Sequence, residues 1–77
     1  MTSLGSLQPG TRARLVRLGG ERGFRRRLME LGLLPGTELR VVRRVDVGDL
    51  VELEVRGAHL SLRRGEARQL LVAPIEA

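Results

Sequence analysis

The sequence predicts a mainly β domain, a small closed sheet of about five strands with one short helix inserted after the first strand. Three observations carry this expectation. Turn signals built on Gly and Pro recur at about eight- to twelve-residue spacing, as in small sandwiches and barrels. The segments between them alternate apolar and polar residues, the period of a half-buried strand. Only "ERGFRRRLMEL" changes to a helical period. Short strands in a chain of 77 residues favour closure, because an open sheet would leave pairing edges exposed. A hydrophobic content of 42% in that length suits one domain, with an ordered core over about residues 5–74.

The elements follow in order. In "LQPGTRARLVRL", Pro9 presets a turn and Gly10 tolerates the positive φ of a type II corner, so a strand runs from Thr11 to Leu18. Gly19 and Gly20 break it. Phe24, Leu28 and Leu31 then fall at i, i+4 and i+7 on one helical face, while Arg25, Arg26 and Glu30 point to water. Gly32 suits the left-handed C′ position, which places Leu33 over Leu28 in a Schellman ending. Pro35 prevents the helix from resuming.

"TELRVVRRV" returns to strand character, with Leu39 and Val41 on one side. Val42 has the other parity, and with Val45 beyond it this predicts a bulge or a change of face. After the "DVGD" turn, "LVELEV" alternates cleanly, with Val51, Leu53 and Val55 inward. Arg56-Gly57 forms a tight hairpin into "AHLSL", where Leu60 and Leu62 point inward and His59 and Ser61 outward. "RRGEA" allows one helical turn, and "RQLLVAPI" supplies the last strand. Leu-x-Pro-Gly-Thr occurs at Leu7 to Thr11 and again at Leu33 to Thr37. The flanking segments do not match, so the pair reads as one kind of strand-leading turn used twice rather than as a repeat. The order of strand, helix, three strands, short turn and strand is that of an SH3-like barrel.

Composition narrows the function. The absence of cysteine removes disulfides, Cys-based zinc sites and thiol nucleophiles, and fits a reducing compartment. No basic lead with an apolar core opens the chain, and no run approaches membrane-spanning length, so a cytoplasmic protein is expected. The net charge of +5 suggests nucleic acid. All fourteen basic residues, however, are arginine in a chain rich in Gly, Leu and Val, a bias that GC-rich coding produces unaided. Base-stacking platforms are also lacking, since Phe24 is the one aromatic residue. A small basic nucleic-acid-binding barrel is therefore the alternative reading, not the first.

Arg27-Leu28, Leu31-Gly32-Leu33, Pro35-Gly36, Gly48-Asp49, Gly57, Leu62-Arg63 and Glu66-Ala67 stand in an order and at spacings that resemble the ferrous-iron transport protein A (FeoA) domain. "SLQPGTRARLVRL" is similar to that family's first strand, so the resemblance covers nearly the whole chain. "VDVGDLV" departs from it, because the family often has a proline on either side of this turn. The resemblance implies a small SH3-like cytoplasmic protein acting with a FeoB-type membrane ferrous-iron permease that carries a cytoplasmic GTPase domain. It implies membrane contact only through that permease. Similar domains close iron- or manganese-dependent repressors; 77 residues leave no room for a DNA-binding domain, so the stand-alone form is expected. An SH3-like fold does not imply Pro-rich peptide binding, which needs an aromatic groove.

No catalytic, cofactor-binding or metal-binding residue is assigned. His59 is the one histidine, short of the two imidazoles and carboxylate common at iron(II) sites. Glu52 and Glu54 share a strand face with Arg56 and suit cross-strand ion pairs. No serine stands in a nucleophile elbow, and no glycine loop has nucleotide-binding spacing. The protein is therefore read as non-catalytic. The partner-binding candidates are Arg25, Arg26, Met29, Leu34 and Arg43. Arginine suits bidentate pairing with carboxylates of an acidic protein surface, and methionine suits adaptable apolar contact. An apolar corner near Leu34 could also support weak self-association.

Overall fold

The structure, a computed structural model, describes residues 1–75. Strands β1 (Thr2–Ser3), β2 (Arg12–Leu18), β3 (Glu38–Val45), β4 (Leu50–Val55), β5 (Ala58–Arg63) and β6 (Leu70–Pro74) form one antiparallel sheet in the order β1-β6-β2-β3-β4-β5. Helix α1 (Arg22–Glu30) follows β2, and the single turn α2 (Arg64–Ala67) joins β5 to β6. This is the mainly β, SH3-like architecture expected, with one strand more than the five counted from sequence.

The additional strand is β1. Thr2 and Ser3 pair with Val72 and Leu71, and a 3-10 turn over Leu4–Ser6 follows. Leu4 is fully buried and Leu7 nearly so, so packed structure begins before residue 5. A two-residue pairing has no period to detect; Leu4 and Leu7, one 3-10 turn apart, are its only apolar trace. The ends of the sheet order, β1 and β5, are not ladder neighbours. Between them α2 packs on the 3-10 turn and on β5, with Ala67 fully buried, so helical packing rather than strand pairing closes that side.

The two Leu-x-Pro-Gly-Thr turns clamp opposite ends of the β2–β3 pair. Gly10 donates to the Val41 carbonyl at 2.7 Å and Val41 donates to Thr11 at 2.9 Å. Gly36 donates to Leu15 at 2.7 Å and Leu15 donates to Thr37 at 2.9 Å. Each turn leads one strand and caps the other. Gly10 and Gly36 have φ of 90° and 92°, the left-handed region that an L side chain resists.

Both ladders of irregular parity contain bulges, at Val16 in β2 and Val42 in β3. The second is the face change expected between Val41 and Val45. Among the described residues, one core of fifteen buried hydrophobic residues collects inward positions of β2 to β6 together with Leu4, Leu7, Leu28, Leu33 and Ala67, and Leu18, Phe24 and Leu60 pack against it. Leu31 is a correction: placed on the helix's inward face by its spacing, it is 53% exposed. The helix ends at Glu30, and Leu31 is its C-cap, so the 3.6-residue period no longer applies there.

Candidate functional site

The corner after α1 is built by its hydrogen bonds. Gly32, at φ 99°, donates to Met29 at 3.0 Å, and Leu33 donates to Leu28 at 2.9 Å. These are the two bonds of a Schellman ending, and they turn Leu33 into the core. Thr37 then closes the next turn onto the Leu34 carbonyl at 2.9 Å, with Pro35 and Gly36 at its centre. The same geometry holds Met29, Leu31 and Leu34 outside, each at least 41% exposed. Val16 joins them: extending the Arg14↔Glu38 register places it opposite Gly36, and it is also exposed.

Of the five residues assigned to partner binding, Met29, Leu34 and Arg26 lie exposed at or beside this corner. Arg25 does not point freely to water as its helical position suggested; it is half-buried, and its guanidinium donates to the Gly20 carbonyl. Arg43 stands apart on β3. Its Nε and Nη2 reach the two carboxylate oxygens of Glu52 on β4 at 3.0 and 3.1 Å. That fork is committed within the chain, and its hydrogen bonds to Glu52 hold the carboxyl below its ordinary value.

The neighbouring acids follow the cross-strand pattern expected of them. Arg40 meets Glu54 at 3.3 Å, and His59 Nε2 lies 3.4 Å from the other oxygen of Glu54. Among the described residues no three His, Cys, Asp or Glu side chains are placed to hold a metal ion. Arg44 is half-buried and donates to the carbonyls of Gly5 at 2.6 Å and Leu7 at 2.7 Å. It anchors the 3-10 turn. Sequence reasoning also missed Leu31 and Arg56. The Arg56 side chain, at the β4–β5 hairpin tip, comes within 3.9 Å of the position a Cβ on Gly32 would take, so the tip adjoins the corner.

A family model for the FeoA domain matches residues 2–74. This chain belongs to the FeoA domain family. The FeoA domain found here has a fused relative, the Fe(2+) transport protein A/Fe(2+) transporter FeoB fusion protein of Porphyromonas gingivalis (strain ATCC BAA-308 / W83). That protein is 32% identical over 74 residues, which cover 96% of this chain and 9% of the fusion. The chain therefore spans less than a tenth of that curated relative's length. The solution structure of FeoA protein from Chlorobium tepidum superposes with a TM-score of 0.92 at 37% identity, covering 97% of this chain and 71% of that one. The apo form of the manganese-activated repressor ScaR contains a similar domain, with TM-score 0.85 and 26% identity over 96% of this chain and 35% of the repressor.

Proposed function

We propose that this FeoA domain is an accessory module of ferrous-iron uptake that works in the cytoplasm by binding a FeoB-type permease, with no turnover of its own. The observation that carries this reading is the fused relative, whose name joins an Fe(2+) transport protein A and an FeoB transporter. Covalent fusion holds two modules at high effective concentration; where the modules are separate chains, a binding surface must supply that proximity. The exposed corner of Met29, Leu31 and Leu34, with Arg26 beside it, supports such a surface. Arg43, held by Glu52, is left out of it.

Purified chain titrated against the permease in lipid nanodiscs, with and without guanine nucleotide, tests the reading. Saturable binding is expected, together with reduced ferrous-iron uptake on deletion of the gene. No binding under either condition, with uptake unchanged on deletion, overturns it. The likeness to ScaR favours a second reading, a free-standing counterpart of the repressors' own domain. The same titration separates the two, since only the first requires the permease.

A further inference from the structure

The geometry points to a second binding element: the free edge of β5 is a docking rail for an extended acidic and apolar segment of a partner protein, which adds to the sheet as a further strand. β5 ends the sheet order, so among the described residues one of its edges has no strand beside it. The hairpin fixes which backbone groups line that edge. Val55 and Ala58 close a two-residue turn and face each other in register, so Ala58, Leu60 and Leu62 direct their N–H and C=O groups toward β4. His59, Ser61 and Arg63 direct theirs outward.

The bonds beyond β5 agree with this parity. Arg64, next in the inward series, donates to Asp49 at 2.9 Å, whereas the outward N–H of Arg63 is taken by Glu66 Oε1 at 2.9 Å. Among the described residues, nothing beyond β4 bonds to the N–H or C=O of His59 or Ser61. Two donors and two acceptors at strand spacing are thereby left open, and Glu66 marks where the rail stops.

Beside this edge lies a groove of about 360 Å³ between α1 and β5. Leu28, Leu50, Leu60 and Leu62 give it an apolar floor, and Arg27 and Arg63 stand at its rim. The Arg63 guanidinium makes no ion pair among the described residues. A strand edge facing a helix across an apolar groove is the arrangement by which extended peptides are bound through backbone bonds, with alternate side chains entering the groove. Glu66 also lines the groove and pairs with Arg27 at 3.0 Å, so Arg63 is the charge that selects an acidic segment, and a basic one would be repelled. This inference does not depend on the permease being the source of the segment.

Amide NMR of the full chain, titrated with the blocked hexapeptide acetyl-EVEVEV-amide, tests it. Shifts and slowed hydrogen exchange are expected at His59 and Ser61, with exchange at Arg63 unchanged. A peptide N-methylated at alternate residues, and the basic analogue acetyl-KVKVKV-amide, should each bind about tenfold more weakly or worse. Ser61→Pro removes an outward donor and leaves the β4 ladder intact, so it should weaken binding similarly. The peptide comparison stands without that variant. Equal binding of the N-methylated peptide, shifts confined to Met29–Leu34, or no shifts at millimolar peptide would overturn the proposal. So would concentration-dependent pairing of β5 with a second copy that excludes the peptide. Loss of permease binding with peptide binding retained would refute the permease reading alone.

Discussion

Leu33 donates its backbone N–H to the Leu28 carbonyl at 2.9 Å, and this bond sorts three nearby leucines into different roles. Leu33 is fully buried, whereas Leu31 and Leu34 are 53% and 41% exposed. Leu33→Ala should cost about 2–5 kcal/mol, a large part of the roughly 4–10 kcal/mol expected for a domain of this size. Leu31→Ala and Leu34→Ala should stay within about 0.5 kcal/mol of the native chain. Urea denaturation of the three variants checks the order; similar losses at all three positions would contradict the assigned corner.

Gly32 makes that sorting possible. Its φ of 99° is the requirement, not space, because a Cβ there would meet only the Arg56 Cδ at 3.9 Å. Gly32→Ala should therefore lose about 1–2 kcal/mol through backbone strain. The denaturant slope should be unchanged, since the surface exposed on unfolding is the same.

Glu66 ties three elements together. Its carboxylate accepts the Arg63 N–H, and its other oxygen lies 3.0 Å from Arg27 Nη2 on α1. The Arg63 backbone bond is the main cause that holds this carboxyl below its ordinary value, with Arg27 adding to it. A lowered native value means that ionised Glu66 stabilises the fold above the ordinary carboxylate range, near pH 4.3. That contribution is lost as pH falls through the lower native value. Glu66→Gln should be less stable than the native chain at pH 7, and its melting temperature should fall less steeply below about pH 4.3. Parallel melting curves for the two chains across this window would contradict the role given to the carboxylate.

Most of the fold was legible because its signals are local. The period-2 run of Val51, Leu53 and Val55, the Arg56-Gly57 hairpin and the Gly32 helix ending each depend on residues a few positions apart, and the structure has all three. What the sequence concealed is of longer range. Arg44 reaches carbonyls 39 and 37 residues away, and nothing adjacent to it separates it from the solvent-facing Arg43. β1 is too short to carry a pattern, and closure through α2 depends on how the barrel curls. Leu31 was misplaced because the spacing was continued one residue past the helix's end. At the candidate surface, Met29, Leu34 and Arg26 followed from geometry near the turn; Val16 became visible only once β2 was set beside the corner.

Binding of corner variants to the permease tests the central claim most directly. Leu31→Asp, Leu34→Asp and their double variant should fold as the native chain does, because both side chains are exposed. An Arg43→Ala control alters a pair that the chain already satisfies internally. Titrated against the permease in nanodiscs, the double variant should bind at least about tenfold more weakly than the native chain, and the Arg43→Ala control should bind as the native chain does. Native-like affinity of the double variant, with its fold intact, would contradict the account.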